Sequence, residues 1–362
     1  MSKLDEARLK INEIDKEMAK LFERRMEASH AVAEYKIENG LSIEDSKRED
    51  EIITKNSEFI KSDEIKEYYI SFIKEVLNES KKYQSRLIKG LKVAYTGVPG
   101  AFAYIAAKKM YPSASFHAYP DFAKAYNSVI NGVCDVVVLP IENSTAGDVG
   151  NVIDLIFEGN LYINQVLSVE IQQNLLAVKG ATKVSIKTVY SHPQALAQSS
   201  EFIKEHNYDE IECVNTAIAA KMVSEKNDPT IAAIASLETA NLYNLDIIEK
   251  NINQNKNNST RFACFSRSLN KSVHSNKNDE NFILVFTVRN EAGSLAKTLN
   301  IISSNGFNMR NLRSRLMKNS MWKYYFYVEI EGNVFTESGN DLLVQLKTVC
   351  DDLKLVGTYR IN

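Results

Sequence analysis

The sequence predicts a three-part chain: an all-α segment over residues 1–88, an α/β segment over 91–267 and a small α+β segment over 280–362. Three observations predict it. Apolar residues recur at helical spacing through the first segment, which contains no proline. From residue 91 short β-branched runs alternate with helical patterns, the signature of an α/β layer structure. A polar stretch, Asn270 to Asp279, reads as a linker. Beyond it the order strand, helix, strand, strand, helix, strand suggests a ferredoxin-like split βαβ sandwich. A length of 362 residues accommodates two or three domains.

In the first segment Leu4, Ile11, Ile14, Met18, Leu21, Phe22, Ala28, Val32 and Tyr35 form one apolar stripe, stopped at Asn39-Gly40. A helix over 4–38 is roughly 50 Å long, more than one small domain covers, so the stripe calls for the same stripe of a second chain. Arg25 and Lys36 are eleven residues apart and share a face. Arg8 precedes Arg25 by seventeen residues, roughly 25 Å along the axis. If both serve one small ligand, Arg8 comes from the partner chain. Arg48 and Glu49 fall three and four residues after Asp45 and cluster with it if that stretch is helical. Ser80 and Gln84 are one turn apart on a third helix expected over 62–86. Cations set into apolar helical stripes suggest a pocket for a small polyanion. Spacing alone is met equally by the solvated face of a helical dimerisation module.

This array, with Ala7-Arg8, Glu23-Arg24-Arg25 and Asp45-Ser46-Lys47-Arg48-Glu49 as landmarks, resembles the all-helical chorismate mutases over residues 1–88. The resemblance implies an intertwined dimer with one arginine of each site contributed by the other chain. The implied reaction, chorismate to prephenate, is an intramolecular rearrangement that needs no nucleophile, metal or cofactor. A site helps it by holding the folded conformer and by stabilising charge on the ether oxygen. By resemblance Arg8, Arg25 and Arg48 grip the two carboxylates, in the paired geometry that suits arginine. Lys36 and Gln84 face the ether oxygen, Glu49 and Asp45 hold the ring hydroxyl end, and Ser80 supports a carboxylate.

Composition sets the outer bounds. The chain is 44% hydrophobic and 25% charged with a net charge of −2, which reads as soluble and globular and gives no reason to expect nucleic acid or membrane partners. Its first residues do not read as a signal peptide, and no apolar run is long enough to span a bilayer. Cys134, Cys213, Cys264 and Cys350 show no paired spacing and read as reduced residues of a cytoplasmic protein. The five histidines form no metal-ligand motif. Asn143-Ser144-Thr145 and Asn258-Ser259-Thr260 match a glycosylation pattern, which carries no meaning without secretion.

In the middle segment strands are expected over 92–95, 134–139, 174–178, 188–190, 211–214 and 230–235. Helices are expected over 102–110, 121–131, 193–206 and 216–226, with mostly parallel strand pairing. Ligands of such sheets bind beyond the carboxyl ends of strands, and polar groups gather there. Pro140-Ile141-Glu142-Asn143-Ser144-Thr145 follows one buried strand. Ser191-His192-Pro193-Gln194 follows another and opens a helix bearing Gln198. Thr260-Arg261-Phe262 begins a third run. Taken singly, each reads as an ordinary cap or turn.

In this order and at these separations, with Gly97 and Gly100 ahead of them, the motifs resemble prephenate dehydratase over residues 91–267. Ala101-Phe102-Ala103 is less hydroxyl-rich than the family's run, and Ser199 stands where a cysteine is common. The resemblance implies two α/β subdomains, as in periplasmic binding proteins, with the site between them. Prephenate loses CO2 and hydroxide there to give phenylpyruvate. Thr260 is assigned to the leaving oxygen, as hydrogen-bond or proton donor, with His192 the alternative donor. Asn143, Ser144, Thr145, Ser191 and Gln198 position the substrate. Arg261 pairs with a substrate carboxylate or with a structural partner, and Glu142 touches substrate or supports its loop.

In the last segment strands are expected over 282–288, 308–317, 322–330 and 354–359, and helices over 294–304 and 342–350. It resembles the ACT domain that follows prephenate dehydratases. The resemblance implies phenylalanine binding at a dimer interface, between the turn Gly293-Ser294-Leu295-Ala296 and the strand residues Arg313, Ser314 and Arg315. Arg313 replaces the family's usual glutamate and Leu316 its proline. Together the resemblances imply a cytoplasmic homodimer or larger homo-oligomer that carries out two consecutive steps toward phenylalanine. Its ligands are then chorismate, prephenate and phenylalanine, with no cofactor. A catalytically silent amino-acid sensor with a helical dimerisation arm is the alternative, and a dehydratase with an inactive mutase arm a third reading.

Overall fold

The structure, a computed structural model, describes residues 2–39, 41–270, 280–317 and 323–360. Most of the expected linker, Gly40 of the expected helix stop and Trp322 of an expected strand lie outside these residues. The chain divides into two compact units, Met1–Leu91 and Lys92–Asn362.

The first unit is three helices: α1 (Lys3–Asn39), α2 (Ser46–Ser57) and α3 (Asp63–Lys89). Asp45 caps α2, its carboxylate accepting from the Arg48 amide at 3.0 Å, which offsets the unpaired N–H groups of the first turn. Only Ser29 and Ala33 of α1 are buried. Ile11, Ile14 and Leu21, on the stripe expected to meet a second chain, are 55%, 56% and 58% exposed.

The second unit begins with β1 (Lys92–Thr96), α4 (Phe102–Met110), β2 (Ser115–Tyr119), α5 (Phe122–Ile130), β3 (Val136–Asn143), β4 (Gly147–Asp148), α6 (Gly150–Glu158) and β5 (Tyr162–Glu170). The chain then crosses into a second lobe: β6 (Asn174–Ala177), β7 (Thr188–Ser191), α7 (Pro193–Gln198), α8 (Ser200–Glu205), β8 (Asp209–Glu212), α9 (Thr216–Lys226), β9 (Ile231–Ala235), α10 (Leu237–Tyr243) and β10 (Asp246–Glu249). It returns through β11 (Ser259–Ser266) and ends in β12 (Glu280–Thr287), α11 (Ser294–Ser304), β13 (Met309–Leu316), β14 (Tyr324–Glu331), α12 (Glu337–Leu346) and β15 (Asp352–Arg360).

Pairing in the two lobes is mixed rather than mostly parallel. The second lobe is a five-stranded sheet in the order β10-β6-β9-β7-β8, in which β7 pairs parallel with β8 and β9 while β6 runs antiparallel to β9 and β10. In the first lobe β1 lies parallel to β2 and β3, but β11 returns antiparallel between β3 and β5. The reason is topological. The chain leaves the first lobe after β5 and comes back through β11, so β11 enters from the opposite end. The expected helix over 193–206 is two, interrupted at Ser199.

The terminal segment has the expected β-α-β-β-α-β order, and its strands continue the first lobe's sheet: β13-β14-β12-β15-β5-β11-β3-β1-β2, with β4 beside β3. The joint is a single parallel register point, Gly357 against Ile163. A Cβ at Gly357 would run into the Ile163 carbonyl, so glycine is what lets the two backbones meet. One face of this sheet buries Phe282, Leu284, Phe286 and Val328 beneath α11 and α12. The other face sends Ile283, Val285, Tyr325, Tyr327 and Tyr359 into the core of the first lobe.

Candidate active sites

In the helical unit α1 and α3 bring four of the expected residues together. The Arg25 guanidinium donates to the Ser80 hydroxyl. Lys36 Nζ lies 3.3 Å from Gln84 Oε1 and 2.8 Å from the Ile43 carbonyl oxygen. Ser80 and Gln84 are buried, and burial lowers the Arg25 pKa from its ordinary value. Ser80 also donates to the Val76 carbonyl at 2.9 Å, so its oxygen is fixed toward Arg25. Glu49 is held 2.9 Å from Lys81 Nζ, a residue the sequence reading passed over although it lies between Ser80 and Gln84. Arg48 is not drawn into this group: its guanidinium is exposed and pairs with Glu51 at 3.2 Å. Asp45 serves as the α2 cap. Arg8 lies exposed near the start of α1, about 25 Å along the helix from Arg25, as its seventeen-residue separation requires.

In the second unit a cavity of about 180 Å³ lies between the lobes, lined by Asn143, Gln173, His192, Gln198, Asn215 and Thr260 among others. Its polar wall is built around Asn143. The Asn143 carbonyl oxygen accepts from the amides of Thr145 and Ala146, at 3.0 and 2.8 Å. Those backbone donors fix which end of the amide is oxygen. The Asn143 NH2 therefore faces the other way, 2.9 Å from Thr260 Oγ1, 2.8 Å from Asn258 Oδ1 and 3.1 Å from the Ser259 carbonyl. Two hydrogens serve these three acceptors. With a lone pair of its oxygen so engaged, Thr260 keeps its own O–H for the cavity. His192 caps α7 by accepting from the Gln194 amide at its Nδ1, 3.2 Å away. A neutral His192 then carries its proton on Nε2.

The remaining expected residues are supports or lie elsewhere. Ser144 accepts from the Ser259 amide at 2.9 Å, and Thr145 reaches Asn258 at 3.4 Å. Gln198 accepts from Asn258 at 3.0 Å, tying α7 to the entry of β11. Ser191 is fully buried and donates to the Ile234 carbonyl at 2.6 Å, so it braces β7 against β9 instead of facing the cavity. Glu142 and Arg261 project from the opposite face of β3 and β11, where Arg261 lies 3.0 Å from both Glu142 and Glu329. Burial works against the Arg261 charge, but Glu329, Tyr359 and Glu142 more than offset it and hold the pKa above the ordinary arginine value.

Comparison with known proteins follows this division. Residues 7–85 match the family model for chorismate mutase type II and residues 93–270 that for prephenate dehydratase. A bifunctional chorismate mutase/prephenate dehydratase of Buchnera aphidicola (subsp. Acyrthosiphon pisum) is 32% identical over 96% of this chain and 94% of its own. The chain belongs to the bifunctional chorismate mutase/prephenate dehydratase family. Among solved structures, a prephenate dehydratase from Arthrobacter aurescens in complex with L-Phe is 25% identical, with a TM-score of 0.68 over 75% of this chain and 90% of that one. GqqA, described as a novel type of quorum-quenching acylase, is 28% identical with a TM-score of 0.69, over 75% of this chain and 98% of that one.

Two features of this family member were not visible in its sequence. Gln173 lines the cavity between the lobes, is 2% exposed, and its side-chain oxygen has no hydrogen-bond partner among the described residues. No spacing singles it out from Gln172 beside it. In the terminal segment the residues expected to meet an effector divide between the two faces of its sheet. Leu295 lines a cavity of about 590 Å³ with Val288, Asn290, Glu291, Tyr324 and Phe326, and Ser314 is exposed opposite Phe326 in the strand register. Arg313 and Arg315 turn to the other face and meet acidic residues of the first lobe, Arg315 pairing with Asp154 at 2.9 Å. Among the described residues no helix is long and apolar enough to cross a membrane.

Proposed function

We propose that the helical unit rearranges chorismate to prephenate and that the cleft of the second unit converts prephenate to phenylpyruvate, two steps of phenylalanine biosynthesis. In the first step no atom is gained or lost. The C–O bond of the ether breaks as a C–C bond forms, and positive groups near the oxygen lower the barrier. Arg25 and Lys36 offer such groups, held by Ser80 and Gln84, and Arg8 of a partner chain completes the grip on the carboxylates. The apolar stripe left exposed on α1 supports that dimer.

In the second step the C–CO2 bond breaks and leaves its electron pair in the ring. The ring becomes aromatic by expelling the 4-hydroxyl, which takes up a proton and departs as water. The observation that carries this reading is the Thr260 hydroxyl at the cavity, its oxygen already accepting from Asn143. A hydroxyl so held donates toward the leaving oxygen, where charge develops. His192, which lines the same cavity, is the alternative donor; with Nδ1 accepting from the Gln194 amide it offers an Nε2–H hydrogen bond, and the proton that completes the leaving water comes from solvent. A silent sensor has no use for this arrangement alongside the Arg25, Lys36, Ser80 and Gln84 group of the helical unit.

The terminal β-α-β-β-α-β segment acts as an ACT-type regulatory domain that takes phenylalanine. The relative solved with L-Phe supports this, as does the cavity beside Leu295. The protein works in the cytoplasm. The test is to supply purified enzyme with chorismate and, separately, with prephenate, each with and without phenylalanine. Consumption of both substrates, with phenylpyruvate formation suppressed by phenylalanine, is expected. Inertness toward both would overturn the reading in favour of the sensor.

A further inference from the structure

The two strands that carry the dehydratase residues have a second face. Thr260 pairs with Asn143 and Arg261 with Glu142 in the β11–β3 register. Side chains alternate along a strand, so Thr260 and Asn143 face the cavity while Arg261 and Glu142 face the terminal segment. There Glu142 is gripped from both sides, by Arg261 at 3.0 Å and by Arg313 of β13 at 2.5 Å. The second arm of the Arg313 guanidinium lies 2.5 Å from Asp148 on β4.

Glu142 and Asp148 are opposite each other in the β3–β4 pairing, as are Asn143 and Gly147. Arg313 thus bridges both strands of the hairpin whose turn amides, Thr145 and Ala146, orient Asn143. Its side chain is only 12% exposed and stands over the Tyr327 ring, 5.7 Å from the centroid. Burial pushes the Asp148 pKa above the ordinary carboxylate value and Arg313 opposes that shift. Removing the guanidinium would leave two facing carboxylates on one hairpin, a costly arrangement when partly desolvated.

We infer that Arg313 is a positioning residue for the dehydratase reaction: by clamping Glu142 and Asp148 it sets the hairpin that aims Asn143, and through it the Thr260 hydroxyl. The inference rests on the dehydratase reading of the cleft. It also gives β13 a means of control. This edge strand holds Arg313 on one face and the exposed Leu312, Ser314 and Leu316 on the other. A ligand seated on the exposed face would act on the strand that carries Arg313.

The test uses the full-length enzyme with Arg313→Met, Arg313→Lys, Glu142→Gln and the Arg313→Met/Glu142→Gln double variant. Prephenate kinetics are read in each, and chorismate mutase rate serves as a control on the sample. Arg313→Met is expected to lower dehydratase kcat on the order of tenfold with KM within about twofold, since misplacement without lost substrate contacts acts on the chemical step. Arg313→Lys, a cation that reaches one carboxylate at a time, should fall between, and it reads the same contact if Arg313→Met does not fold. The double variant should be no slower than the slower single variant, because both changes act through one pair. Wild-type kcat in Arg313→Met or Arg313→Lys, or losses that multiply in the double variant, would overturn the proposal while the wild type stays active on prephenate. A wild type inert on prephenate would overturn the dehydratase reading and this proposal with it.

Discussion

Asn143 and Thr260 stand opposite each other on β3 and β11, the amide nitrogen of one 2.9 Å from the hydroxyl oxygen of the other. The direction of that hydrogen bond matters, because only a threonine that accepts from Asn143 is free to donate into the cavity. Asn143→Asp keeps the shape and removes the donor. The Thr260 O–H would then turn to the new carboxylate. We expect dehydratase kcat to fall on the order of 10²-fold, the size of effect seen when a hydrogen bond to developing charge is lost. Steady-state kinetics on prephenate, with mutase rate measured on the same sample, checks this.

The separation of Arg8 from Arg25 on one continuous helix leads to a complementation experiment. Arg8→Ala and Arg25→Ala should each be inactive as mutases. Refolded together they should regain about a quarter of wild-type mutase activity, because half the dimers are mixed and each mixed dimer holds one intact site. No recovery in a mixture shown to contain the mixed dimer would mean that Arg8 serves its own chain or no site.

Gln173 presents a trade between stability and function. A buried oxygen without a partner costs about 1–3 kcal/mol, so Gln173→Leu should leave the melting temperature unchanged or raise it. If the oxygen accepts from bound substrate, the same change should lower dehydratase kcat/KM by about tenfold, roughly 1.4 kcal/mol, chiefly through KM. A stabilised variant with unaltered prephenate kinetics would assign Gln173 to packing alone.

Burial also orders the thiols. It pushes Cys264 up to about 12 and Cys350 up to about 11, and it raises Cys213 with Lys226 opposing. A thiol with a pKa near 12 is thiolate in only about one molecule in 10⁴ at pH 8, and the thiolate is the reactive form. Alkylation of native enzyme at pH 8, followed by mass spectrometry, should label Cys213 first and leave Cys264 unlabelled until the protein is unfolded.

How much of this was legible in the sequence depended on whether the signal was local. The long first helix, expected over 4–38 and observed as Lys3–Asn39, rests on an apolar stripe at 3.6-residue spacing, uninterrupted by proline or glycine until Gly40. The terminal order of strands and helices was legible because each strand alternates or ends at a turn. β5 was missed: Asn164, Gln165 and Ser168 break its apolar run, yet it lies inside the sheet between β15 and β11. In the site, motif residues such as Asn143 and Thr260 could be nominated, but not the direction in which each side chain points. Ser191 follows a strand end as a ligand residue would, and is spent on a backbone carbonyl instead. The pairing of Arg313 with Glu142 joins residues 171 apart, and no periodicity reports a contact at that range.

The central claim is two separable reactions on one chain, the second depending on the Thr260 hydroxyl. The most direct measurement follows chorismate loss and phenylpyruvate appearance in one reaction, for wild type and Thr260→Ala. The account predicts that the wild type consumes chorismate and forms phenylpyruvate, while Thr260→Ala consumes chorismate at the wild-type rate and accumulates prephenate. Undiminished phenylpyruvate formation by Thr260→Ala, or chorismate left intact by the wild type, would contradict it.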